Sequence, residues 1–167
     1  IEALVRAGTV VDPVRSWGEL LGRSSQTPIA SFQPGFAEAP WPLVAAYSSV
    51  RNAVTPDHVQ QQNRVALPAI PALHQAALPL LAATDYGVPA HRLHRELELY
   101  VEAGLTPLEA IRSASAVAAE AMGLADDSGT IESGKRADLL ILDADPLADI
   151  SAIRGGRWVV ANGVMYD

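Results

Sequence analysis

The sequence predicts an α/β fold that ends in a β-rich tail. Short apolar runs alternate with helical patterns along most of the chain. After Ala125 the pattern changes, and two apolar runs flank Asn162-Gly163, the strongest short hairpin signal a sequence offers.

The elements follow in order. Ile1, Leu4 and Val5 share one helical face, and Gly8 stops that helix. Thr9-Val10-Val11 reads as a short buried strand closed by Asp12-Pro13. A helical turn is expected over 17–21. Residues 23–42 are rich in Ser, Gln and Pro and carry Phe32, Phe36 and Trp41. A connection this long is a functional or a mobile loop. Its aromatics either pin it to the body or line a pocket, with pinning the commoner use. Residues 65–77 suit a helix whose start Pro68 and Pro71 confine. Residues 78–83 are continuously apolar and run into Thr84-Asp85-Tyr86-Gly87, the pattern of a buried parallel strand entering a loop. Residues 93–103 are helical, with Leu93, Leu97 and Tyr100 on one face and Gly104 as the stop. Thr106, Pro107 and Glu109 then form a capping box with proline at the first helical position. That helix is expected to continue through Ile111, Ala114 and Ala118 to Gly123. In the tail, strands are expected at 139–142, 158–161 and 164–166.

The chain has 167 residues, enough for one domain or parts of two. Its net charge of -7 argues against a broad nucleic-acid surface, so a small molecule is the expected partner. The absence of cysteine excludes disulfides, thiolate metal sites and cysteine nucleophiles. No apolar run approaches the roughly 20 residues of a membrane span, and no targeting segment is visible. Cytoplasm and periplasm are both compatible. The first residue is Ile1, which suggests processing or a segment of something longer.

Three stretches in register carry a family resemblance. The first is Leu80 through Thr84-Asp85-Tyr86-Gly87. The second is His94-Arg95-Glu96-Leu97-Glu98 with Ala103-Gly104-Leu105-Thr106-Pro107-Leu108-Glu109-Ala110. The third is Gly129-Thr130-Ile131-Glu132 with Gly134-Lys135-Arg136-Ala137-Asp138-Leu139. Together they resemble the C-terminal part of amidohydrolase-superfamily enzymes of the imidazolonepropionase-like and Xaa-Pro-dipeptidase-like group. The resemblance implies the end of a (β/α)8 TIM barrel over residues 1–124, with residues 9–11 as strand seven and 78–84 as strand eight. Residues 125–167 would then be strands of a small β-sandwich. Ala83 departs from the glycine common before Thr-Asp in that group. A complete barrel takes about 250 residues, and no His-x-His occurs here.

The resemblance further implies a divalent metal, zinc by preference, as one or two ions with most ligands outside this chain. Asp85 would be the catalytic proton shuttle and a metal ligand at the C-terminal end of its strand. The structural alternative is a turn aspartate before Gly87 that accepts backbone N–H bonds. His91 follows in the next loop and is a candidate substrate contact. His94, His74 and His58 have no partner at metal-ligand spacing. Glu96, Glu98 and Arg95 read as a solvated helix face, and Lys135 and Asp138 as a structural pair or turn.

The implied reaction is hydrolysis of a C–N bond in an amide, cyclic amide or dipeptide, with the remaining ligands coming from an N-terminal portion in the same or a separate chain. The isolated chain is expected to be inactive. The alternative is a non-catalytic module that pairs its strands with another chain, and self-association stays open beside both.

Overall fold

The computed structural model describes residues 1–22, 28–31, 36–48, 56–85 and 91–166. Seven α-helices stand among these residues: α1 (Glu2–Arg6), α2 (Arg15–Gly22), α3 (Trp41–Ser48), α4 (Pro56–Gln75), α5 (His91–Glu102), α6 (Pro107–Ser113) and α7 (Ala116–Ala121). Short 3-10 turns cover Ile29–Ser31, Phe36–Glu38 and Ile150–Arg154. An antiparallel sheet closes the chain, ordered β1 (Leu139–Leu142), β2 (Gly156–Ala161), β3 (Val164–Tyr166).

The two apolar runs of the body pair in parallel. Val11 bridges Leu80, the Val11 N–H donates to the Pro79 carbonyl at 2.9 Å, and the Leu81 N–H donates to the Val11 carbonyl at 2.8 Å. The regular ladder is thus one bridge long, shorter than the runs 9–11 and 78–83 suggest. On its other side strand eight is tied to a helix, because the Ala82 N–H donates to the Ser113 carbonyl at 3.2 Å. Tyr100, fully buried on α5, donates its hydroxyl to the Leu81 carbonyl. Leu80 sits in the main core with Ile70, Leu97, Tyr100, Leu105, Ile150 and Ile153. One apolar cluster therefore joins the body helices to the start of the tail.

Helix α4 differs from its expected extent. It begins at Pro56 and passes through Pro68 and Pro71. Each proline removes one backbone donor. The helix continues because Ile70 is fully buried in the core, with Leu67 and Leu73 packed beside it. Packing there outweighs two missing hydrogen bonds.

The helix expected from Thr106 to Gly123 is instead two helices. The capping box forms at its start: the Glu109 N–H donates to Thr106 Oγ1, and the Glu109 carboxylate accepts the Thr106 N–H at 2.7 Å. The break comes at Ala114-Ser115. Ser113 and Ser115 donate their hydroxyls to the Ala110 and Ile111 carbonyls, and the Ser113 carbonyl is taken by strand eight. Side-chain bonds of this kind compete with the helical ladder.

The hairpin forms as expected. Asn162 and Gly163 both have positive φ, 49° and 78°, as a type I′ turn requires. Asp138 fixes it from outside by accepting the Asn162 N–H at 2.7 Å, and Arg136 pairs with the same carboxylate. Lys135 lies 3.7 Å from Glu132. Both residues therefore have the structural role expected of them.

Candidate functional site

Parallel strands put their C-terminal ends on one face, and the two strands here deliver a carboxylate each. Asp12 follows Val11 directly, and Asp85 follows the apolar run that contains Leu80. Both are exposed. Asp85 has a left-handed backbone, φ 57°, a conformation aspartate tolerates better than most side chains. Among the described residues its carboxylate makes no hydrogen bond or ion pair, so the turn-capping alternative finds no support there.

Asp12 is a site residue that pattern reading passes over as a strand stop. Its carboxyl is held above the ordinary range, first by burial and last by the charge of Asp85, against the opposing effect of the Val14 and Ala83 backbone N–H groups. The two acids thus feel one another across the strand ends.

Helix α5 stands directly behind this face, and it corrects the expectation of a solvated surface. Glu96 is fully buried. Its two oxygens accept the backbone N–H groups of Arg15 and Ser16, at 2.7 and 2.6 Å. Glu96 thus terminates α2 from another element, as a capping side chain does from its own. Burial pushes its carboxyl above the ordinary range despite those bonds. Glu98 and Arg95 are mostly covered as well. Arg95 donates to Glu19 at 2.7 and 2.8 Å, to Glu102 at 2.6 Å and to Glu98 at 3.2 Å. Glu98 in turn accepts Arg154 from the tail. The charges face inward because α2 and the 150–154 turn pack against α5, which no single-sequence periodicity reveals.

Arg92 lies in the first turn of α5 and has no exposed surface. Its guanidinium carbon sits 4.9 Å from the centre of the Trp17 ring, and Nη2 donates to Ser16 Oγ at 3.2 Å. Trp17 also packs on a small second cluster of Ile29, Phe36 and Tyr47. Phe36 therefore pins its segment, as expected, whereas Trp41 is exposed and Phe32 lies outside the described residues.

His91 opens α5, but its side chain lies outside the described residues, as do Tyr86 and Gly87. His74 bonds Glu109 at 2.9 Å, away from the strand ends. His94 lines a cleft of about 660 Å³ between α5, α6 and the tail, whose walls include neither Asp12 nor Asp85.

No group of three or more metal-capable side chains occurs among the described residues. Asp85 suits one position in a metal's ligand set: a carboxylate at a strand end with uncommitted oxygens.

A sequence model described as the amidohydrolase family matches residues 45–164. An adenine deaminase from Gluconobacter oxydans is 40% identical over 97 residues, which cover 54% of this chain and 17% of that protein. An imidazolonepropionase from Geobacillus kaustophilus is 33% identical over 108 residues, covering 56% of this chain and 26% of its own length. Among solved structures, a Xaa-Pro dipeptidase with methionine bound in its active site superposes with a TM-score of 0.72 at 23% identity, over 99% of this chain and 36% of the other. A putative prolidase from Bifidobacterium longum gives 0.68 at 28% identity, over 95% and 35%. The chain therefore spans about a third of these solved structures and a smaller share of the sequence relatives. No described helix is long and apolar enough to cross a membrane.

Proposed function

Because this chain belongs to the amidohydrolase family, we propose that it is the C-terminal part of a hydrolase that cleaves a C–N bond in an amide, cyclic amide or dipeptide, with Asp85 as proton carrier and metal ligand. The observation that carries the reading is the placement of Asp85. It lies at the C-terminal end of a parallel-paired segment, exposed, with its carboxylate uncommitted among the described residues. Catalytic groups of (β/α)8 barrels occupy that end of the strands.

On this reading residues 9–11 and 78–84 are barrel strands seven and eight, residues 1–124 belong to the barrel, and 125–167 to a β-sandwich beside it. The remaining strands and metal ligands come from an N-terminal portion, in the same or a separate chain. The exposed apolar side chains Ile1, Leu4, Val5 and Val10 on α1 and strand seven fit such a neighbour. A divalent metal, zinc by preference, would supply a water acidic enough to lose its proton near neutral pH. Asp85 takes that proton and returns it to the leaving nitrogen. Tyr100 and Ser113 hold the Leu81-Ala82 segment that leads to Asp85, and Asp12 adds negative charge beside it.

Asp85→Asn in the assembled enzyme tests the assignment. The amide keeps the shape but carries no proton, so turnover should fall by about 100-fold or more while the melting temperature stays put. Near-normal turnover in that variant would remove Asp85 from the chemistry.

A further inference from the structure

Buried charges in proteins are paired or hydrogen-bonded, because an isolated ion is costly to take out of water. Arg92 breaks this rule. It has no exposed surface, yet among the described residues its Nε and Nη1 have no hydrogen-bond partner. Its bond to Ser16 Oγ, at 3.2 Å, goes to a neutral oxygen. The acid nearest in sequence on the same helix does not serve it, since Glu96 gives both oxygens to the backbone of α2. The contrast with Arg95, which bonds three carboxylates, is sharp. Burial lowers the guanidinium to about 10, which still leaves it cationic at neutral pH.

The place matters as much as the vacancy in its bonding. Arg92 enters α5 seven residues after Asp85, and the charges of the two interact. The Trp17 face and the Ser16 hydroxyl, from the segment after strand seven, border it. Glu96, Glu19 and Asp85 already place negative charge around it, so a single further charge is tolerated and a dianion is not.

We propose that Arg92 is a substrate-recognising residue of the Asp85 site and that it takes a carboxylate, so that the substrates are acylated amino acids or dipeptides with a free C-terminus. This rests on the hydrolase reading above and narrows its substrate class.

The test uses the assembled enzyme carrying Asp85→Asn, so that binding is read without turnover. N-acetyl-L-proline and N-acetyl-L-methionine are titrated by calorimetry beside their carboxamides. Each acid should bind about 100-fold more tightly than its amide, the scale set by a buried charge partner. Arg92→Met should abolish that preference and leave amide affinity unchanged, while Arg92→Lys should keep part of it. Equal binding of acid and amide, binding of neither, or equal weakening of both by Arg92→Met would overturn the proposal. If Arg92→Met fails to fold, the acid-over-amide ratio of Arg92→Lys decides: an undiminished ratio refutes the role. Hydrolysis of the probes by Asp85→Asn would sink the catalytic reading alone, because the affinity ratio at short times still reports on Arg92.

Discussion

Glu98→Gln should uncouple the last body helix from the tail. The Glu98 carboxylate accepts Arg154 through Nε and, at 3.0 Å, through Nη2, and it accepts Arg95 Nη1 at 3.2 Å. Its side chain is 14% exposed, and those of Arg154 and Arg95 are 21% and 23% exposed. The glutamine amide keeps one acceptor and turns a donor toward guanidinium donors. Arg95 retains Glu19 and Glu102, but Arg154 loses the carboxylate it bonds, and its Nη1 is already without a partner. Hydrogen bonds to charged groups contribute about 1.5–3 kcal/mol each. Residual exposure screens the pair, so a loss of about 2 kcal/mol is expected. For a protein of this size that lowers the melting temperature by about 4–8 °C. Thermal denaturation of the assembled protein reads it, with Arg154→Met and the double variant completing a cycle. A coupling of about 1 kcal/mol or more is expected for the contacting pair.

The pH dependence has a definite sign. Burial raises the Glu98 carboxyl, but Arg154 and then Arg95 outweigh it, and the net shift is downward. The folded state therefore gains stability above the ordinary carboxylate value and loses it as pH falls through the lowered one. The gap between wild type and variant should narrow from pH 7 to pH 3. A change of less than about 1 °C at pH 7, within the range of ordinary surface substitutions, would refute the clamp. So would additive single effects in the cycle.

Two further outcomes are expected. Glu109 is lowered to about 2 by the Thr106 backbone and hydroxyl, then by His74. Its stabilisation should be lost as pH falls from about 4.5 toward 2, and acid titration of Glu109→Gln should lack that component. The chain alone should bind zinc only weakly, since catalytic zinc sites normally use about three protein ligands. Submicromolar affinity by calorimetry would reveal ligands not recognised here.

Legibility in the sequence followed the range of the forces involved. The capping box and the Asn162-Gly163 turn are made by residues within four positions of each other, and the sequence displays them whole. The strand-eight run was visible from its composition, and Asp85 from its position at the end. The split at Ala114-Ser115 was hidden because the competing hydrogen bonds depend on where strand eight lies. The inward face of α5 was hidden for the same reason. Glu96, Arg95 and Arg92 are charged residues whose partners stand about 80 positions away on α2, and only the folded chain brings them together. Asp12 looked like a strand stop until Leu80 paired beside Val11 and set it next to Asp85.

The division between α6 and α7 also bears on the order of folding. At seven and six residues, both fall well below the roughly 12–15 that an isolated helix needs to persist in water. Neither can form early and wait for the rest. The hydrogen bond from Ala82 to Ser113 makes the end of α6 conditional on strand eight being in place. The segment that presents Asp85 is thus a template on which its neighbouring helices condense. Loosening that segment would release them together rather than one by one, so the site and this part of the scaffold share one threshold of disorder.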